Sequence, residues 1–320
     1  MNAHRGEEIC QTKSLTNSEL GGFCSPPKRV VTLTRIASEL ICIFGCIDRI
    51  VGRDNHSSFP PGLDLKPAVG SSMRKTISSK KVLDLDPDVV ITGRRIPPEV
   101  FDEIESAGVP VVIIGTDCEL EALMSNIRKL GTMMAAEKRA GELADFIERY
   151  ASLITDRTGK LEIGEKPRVY NECAFGKYTT KTCTAADEGI ALAGGVNIAH
   201  GECLGRLAVS EEWVIRNNPD IILSQISTMS PATVETLKAR RDEILARPEL
   251  KDTNAVRDGR VYISHLSVRR GPRMVGYLLY LAKCFHPELF EDINPDDVER
   301  EMLRKFYGDD SIETWAYPGI

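Results

Sequence analysis

Residues 78–93 read SSKKVLDLDPDVVITG, and residues 210–225 say nearly the same thing as SEEWVIRNNPDIILSQ. Each copy opens on apolar residues at amphipathic spacing, Val82, Leu83 and Leu85 in the first and Trp213, Val214 and Ile215 in the second. Each closes on an unbroken apolar run, 89–91 and 221–223, after a Pro-Asp step at Pro87 and Pro219. Proline cannot continue a helix and pushes its predecessor toward an extended conformation, while a strand apolar on consecutive residues has to be covered on both faces. Each copy therefore reads as helix, turn and buried strand, which is half of an α/β unit. The copies differ in charge at the front, Lys80 against Glu212.

Outward from the first copy, KRVVTLT (28–34), RIVGRD (49–54) and VPVVIIG (109–115) read as further strands, with RIASELICIFGC (35–46) a helix between the first two. Strands alternating with helices imply a largely parallel sheet with its ligand loops at the carboxyl edge. Around the second copy, RVYNEC (168–173) and GRVYISH (259–265) read as strands, DEGIALAGGVNIA (187–199) as a helix ended by Gly194 and Gly195, and GPRMVGYLLYLAKCFHPELF (271–290) as a closing helix. Between the two sets, apolar residues recur every three or four positions from Leu123 to Ile154, the pattern of one long amphipathic helix. Some 30 helical residues would span roughly 45 Å. The expected organisation is a flexible extension over 1–28, an α/β lobe over 29–118, a bridging helix over 119–158 and a second α/β lobe over 159–320, with a cleft between the lobes. The fold class is α/β, with two Rossmann-like lobes bridged by one long α-helix.

With 320 residues, 42% hydrophobic and 28% charged, the chain has material for about two domains and is neither disordered nor fibrous. A formal net charge of -6 argues against nucleic acid as a partner. No stretch approaches the roughly 18 consecutive apolar residues of a membrane span. Its 9 cysteines are odd in number and without metal-finger spacing, so they read as mostly reduced thiols, with Cys42 and Cys46 as small buried hydrophobes. The first 28 residues lack the apolar core of a secretory signal, which leaves two expectations: cytoplasmic if this N-terminus is native, extracytoplasmic if a leader was removed. Neither a nucleophile elbow nor a phosphate loop is present, and the glycines of AGGVNIA end a helix instead of opening one, so no enzyme is expected.

The stretch RVVTLTRIASELICIFGCIDRIVGRDNHSSFPP (29–61), then VGSS (69–72) and KKVLDLDPDVVITG (80–93), resembles the first lobe of the substrate-binding proteins of ABC importers for iron-siderophores, haem and cobalamin. AGGVNIA (193–199), VSEEWVIRNNPDIIL (209–223), the 271–290 helix and KFYG (305–308) are similar to that family's second lobe and ending. The resemblance implies a periplasmic-binding-protein-like fold of the helical-backbone type. It also implies a monomer without a permanent cofactor, a small-molecule metal chelate of iron or cobalt as ligand, and an ABC permease with its ATPase as partner. In that family a glutamate ahead of each Pro-Asp docks onto permease arginines. Glu212 matches that position and Lys80 stands at the other. A reversed charge there would cost on the order of one to several kcal/mol against an arginine. Either the register slips, or the permease has changed to match, or the chain serves no standard importer.

The loops expected at the cleft rim carry Arg35, Arg53, Asn55, His56 and Arg74 in the first lobe. In the second they carry Tyr170, Asn171, Tyr178, Thr180, Arg269, Arg270 and Arg273. Guanidinium forks suit carboxylates, catecholates or phosphates, and tyrosines offer flat faces with a polar tip, so an anionic chelate is the expected ligand. Arg269 and Arg270, in SVRRGPR (267–273), are the strongest candidates, with Arg273 open to a structural role. Direct metal ligation by Cys173 or Cys183, near His200 and Cys203, is a weaker expectation because their separations match no compact metal motif. The competing reading is a cytoplasmic metal or cofactor carrier, or a chelatase-like assembly protein, on the same fold.

Overall fold

The computed structural model describes residues 25–320 except 73, 94–95, 116–118, 175, 183, 202–204, 228–231 and 310–313. Most of the expected extension, and Cys10, Cys24, Cys118, Cys183 and Cys203, lie outside the described residues. The chain divides into two compact units, 1–146 and 147–320.

The first unit is built from β1 (Val30–Thr32), α1 (Arg35–Ile43), β2 (Ile50–Arg53), α2 (Ser79–Leu83), β3 (Val89–Thr92), α3 (Pro98–Ser106) and β4 (Val111–Ile113). The strands form one parallel sheet in the order β2-β1-β3-β4. Val31, Val90 and Val111 are buried in one apolar cluster with Val82 of α2 and Ile104 of α3, as the unbroken apolar runs demand. Two further helices follow, α4 (Leu120–Met133) and α5 (Glu137–Thr158).

Here the structure corrects the sequence reading, because the stretch expected to be one helix of about 45 Å is two. Ala135 adopts a left-handed backbone at φ +51, and Ala136 N–H returns to the Gly131 carbonyl. Alanine is the best helix former, so TMMAAEK carries no local signal to stop. The corner comes from packing: a Cβ on Gly131 would lie 2.4 Å from that of Ala140, a contact only glycine permits. The division between the units falls inside α5, so that helix alone carries the chain from one to the other.

The second unit contains β5 (Arg168–Glu172), β6 (Thr179–Thr182), α6 (Thr184–Leu192), β7 (Val196–Asn197), β8 (Gly205–Ala208), α7 (Glu211–Asn217) and β9 (Ile221–Ile226). It continues with α8 (Val234–Leu245), α9 (Asn254–Arg257), β10 (Val261–His265), α10 (Met274–Phe285), α11 (Pro295–Tyr307) and β11 (Ala316–Tyr317). Its sheet runs β11-β10-β9-β5-β6-β8, with β7 also on β5. β10, β9 and β5 are parallel, whereas β6 pairs antiparallel with both β5 and β8, and β11 adds an antiparallel edge. All of α10 except Lys283 is buried, which makes it a core helix.

The repeated motif is built the same way twice. Ser78 caps α2 by accepting from Lys81 N–H, and Ser210 caps α7 by accepting from Trp213 N–H. Each helix is followed by a left-handed residue, Asp86 at φ +46 and Asn218 at φ +35. The aspartate of each Pro-Asp then receives the chain entering the neighbouring strand: Asp88 accepts Lys28 and Arg29 N–H at 2.7 and 2.8 Å, and Asp220 accepts Arg168 N–H at 2.9 Å. The arginines close each frame, Arg29 on the carbonyls of Leu85 and Asp86, Arg168 on that of Asn217.

Candidate functional site

In open parallel sheets ligands are received at the carboxyl ends of the strands. In both units those ends turn from apolar to buried polar residues: Thr32, Asp54 and Thr92 in the first, Asn171, Glu172, Ser224, Gln225 and Ser264 in the second. Apolar strands that finish on polar residues, as in VVTLT, VVITG, IILSQ and VYISH, carry this signal in the sequence itself.

At the end of β2, two side chains shape the loop that follows. Arg53 donates to the carbonyls of Asp54, Asn55, Asp64 and Lys66, so its planar fork clamps the loop from one side. Asp54, 3% exposed, accepts from His56 N–H at 2.8 Å and from Ser72 N–H and hydroxyl at 2.8 and 3.0 Å. Gly70 makes the return possible, with φ +127 and the Thr76 carbonyl 2.2 Å from where a Cβ would be. The loop thus presents His56, whose Nε2 is buried and has no hydrogen-bond partner among the described residues, as is also true of the Ser57 hydroxyl. Buried polar atoms are normally paired, so two orphans beside a strand's carboxyl end make this loop a candidate for ligand contact. Arg35, the first residue of α1, and Arg74, beyond Ser72, are exposed. Arg53, expected at the cleft rim, is held instead in a structural position by its four carbonyl contacts.

In the second unit, the buried amides of Gln225 and Asn171 bond each other at 2.7 Å across β9 and β5. Glu172 is fully buried and paired bidentately with Arg247 at 2.7 and 2.9 Å. Tyr178 lies in the β5–β6 turn, its hydroxyl on Glu249 and its ring 5.2 Å from the guanidinium carbon of Arg247. That hydroxyl, then the Glu249 amide and Lys177, hold the Glu249 carboxyl down at about 2. After β10, Arg269 stands 5.7 Å from the centroid of the Tyr277 ring, and Arg270 is exposed. Arg273, 7% exposed, pairs with buried Glu299 at 2.6 Å and ties α10 to α11, which is the structural role left open for it.

Two expected rim residues lie elsewhere. Tyr170 is fully buried within the core cluster of β5, β9 and β10, where burial pushes its hydroxyl pKa upward. Thr180 is fully buried on β6 and donates to the Asn171 carbonyl at 3.1 Å. Both side chains are buried within the sheet, a placement that strand alternation alone does not reveal. Cys173 is also buried, 3% exposed, and Cys183 lies outside the described residues. Among the described residues no three His, Cys, Asp or Glu side chains form a metal group. Burial raises the Cys42 thiol to about 12 and lifts those of Cys46 and Cys284, which fits unreactive packed cysteines.

Lys80 and Glu212 occupy the same place in the two capped frames, each the second residue of its helix and each exposed. There is no slip of register between them. The Ser210 hydroxyl and then the amide of Glu212 hold its carboxyl below the usual range.

Residues 30–265 match the periplasmic binding protein model. The chain belongs to the periplasmic binding protein family. Over 273 residues it is 24% identical to an uncharacterized ABC transporter substrate-binding lipoprotein of Bacillus subtilis (strain 168), covering 83% of this chain and 82% of that one. It is 25% identical over 215 residues to the vitamin B12-binding protein of Pectobacterium carotovorum subsp. carotovorum (strain PC1), covering 66% and 75% of the two. Among solved structures, a periplasmic heme-binding protein of Pseudomonas aeruginosa superposes with a TM-score of 0.66 at 27% identity, over 82% of this chain and 94% of that one. Members of the family are binding proteins, and the substrate-binding reading of the sequence stands. No helix among the described residues is long and apolar enough to cross a membrane.

Proposed function

We propose that this periplasmic binding protein captures an anionic metal chelate of the haem, cobalamin or iron-siderophore kind, outside the cytoplasm, and hands it to an ABC permease. The observation that carries the reading is where the positive charge sits. In a chain of net charge -6, Arg35 in one unit and Arg269 and Arg270 in the other follow the carboxyl ends of β1 and β10, and Arg74 lies in the loop whose Ser72 bonds Asp54 at the end of β2. Guanidinium groups there suit the carboxylate, phosphate or catecholate groups of such chelates. His56 Nε2, buried and without a hydrogen-bond partner among the described residues, adds a nitrogen able to donate to the chelate or meet its metal. Tyr178 contributes a flat face at the β5–β6 turn. Relatives named for vitamin B12 and heme support this ligand class. Docking on the permease would fall to the exposed front ends of α2 and α7, through Lys80 and Glu212.

The test is a thermal-shift screen of the purified chain against haemin, cyanocobalamin, a ferric siderophore and molybdate. A ligand at 100 times its dissociation constant adds about 2.7 kcal/mol of stability and raises Tm by several degrees. Replacing Arg269 and Arg270 together by alanine should weaken binding about tenfold or more while Tm without ligand stays within about two degrees. A screen without any shift would remove the ligand class, and unchanged affinity in the double variant would remove the arginines.

A further inference from the structure

Glu172 ends β5 with a carboxylate that water does not reach. Arg247 donates to both of its oxygens, Arg240 to Oε1, and the Tyr178 N–H to Oε2 at 3.2 Å. Arg240 also donates to Ser224 at 3.2 Å, which ties in β9. A buried cluster of this kind gains little stability that apolar packing would not supply, so its value lies in the geometry it dictates.

What it dictates is the turn ending at Tyr178. That residue holds a left-handed backbone, φ +51, although it is not glycine. The conformation aims its amide at Glu172, while its ring faces the Arg247 guanidinium and the Lys177 ammonium, each 5.2 Å from the centroid. Cys173 N–H closes the base of the turn on the Thr179 carbonyl at 2.8 Å. The amide and one face of Tyr178 therefore rest on a single buried acid and the arginine paired with it.

We propose that Glu172, fixed by Arg247, is a positioning residue that sets the Tyr178 turn for substrate binding without touching the substrate. This rests on the reading that the carboxyl edge of the sheet receives the ligand. Glu172→Gln keeps the shape but removes the charge that holds the Tyr178 amide. Glu172→Asp keeps the charge but shortens the reach, and it serves if the glutamine variant does not fold.

The experiment measures amide hydrogen exchange at Tyr178, together with affinity for whichever of haemin, cyanocobalamin, a ferric siderophore and molybdate the wild-type chain binds. The Tyr178 amide is expected to exchange about tenfold faster or more in the folded variant, with β9 and β10 amides unchanged and affinity about tenfold weaker. An unchanged Tyr178 amide overturns the proposal. So does uniform acceleration across β5, β9 and β10, which is lost stability and not lost position, and so does unchanged affinity beside a faster amide. If the wild-type chain binds none of the four probes, the substrate reading fails, and the exchange rates still decide whether Glu172 sets the turn.

Discussion

Tyr178 shows how much one side chain is asked to do at the carboxyl edge of the second sheet. Its hydroxyl meets Glu249, which Lys177 also reaches at 3.2 Å. With the carboxyl held at about 2 in the folded chain against an ordinary 4.5, the contact favours the folded state fully above pH 4.5 and is lost as pH falls toward 2. Tyr178→Phe removes the largest of the groups holding the carboxyl down. The Glu249 carboxyl, followed by carbon NMR across an acid titration, should then titrate at higher pH, back toward the ordinary range. A titration that does not move would mean the hydroxyl contact is not formed in solution.

Among the elements, the twin frames around Pro87 and Pro219 make the central strands enter their sheets at a fixed point. Asp88 receives two backbone N–H groups, whereas Asp220 receives the Arg168 N–H and the Asn254 side-chain amide at 2.8 Å. Replacing either aspartate by alanine should cost about 1–3 kcal/mol in denaturant unfolding, and asparagine should recover part of it, since its oxygen still accepts one donor. A loss below about 0.5 kcal/mol at both would mean water replaces the carboxylate without penalty. These frames were legible because Pro-Asp and the apolar run are local signals. The break between α4 and α5 was not, since it depends on Gly131 meeting Ala140 across a corner. Nor was β6, whose TTKT carries no apolar alternation and is a strand because β5 and β8 pair with it. The candidate residues divided in the same way. Arg35, His56, Arg74, Tyr178, Arg269 and Arg270 stand in the loops, turns and helix starts where the strand pattern put them. Tyr170 and Thr180 are buried in their strands, and Arg53 donates to four carbonyls that no sequence pattern announces.

At the scale of the whole molecule, the two units present one surface motif with opposite charge. Lys80 and Glu212 hold equivalent positions in equivalent capped helices, so the difference is not an accident of alignment. Under the docking proposal, a permease fitted to this chain must offer an acid to the first unit and a base to the second, because like charges in a desolvated contact repel by several kcal/mol. Lys80→Glu would make the two surfaces alike. In cells carrying the cognate permease, uptake should fall about tenfold with Lys80→Glu and with Glu212→Lys, while ligand affinity of the purified chains stays at the wild-type value. Both positions are exposed on the capped helices α2 and α7, so a loss of affinity would show that these helix ends belong to the ligand site. If Lys80→Glu raises uptake, the permease carries bases on both halves and Lys80 is a handicap the chain tolerates. If uptake is unmoved by either change, the front ends of α2 and α7 do not dock.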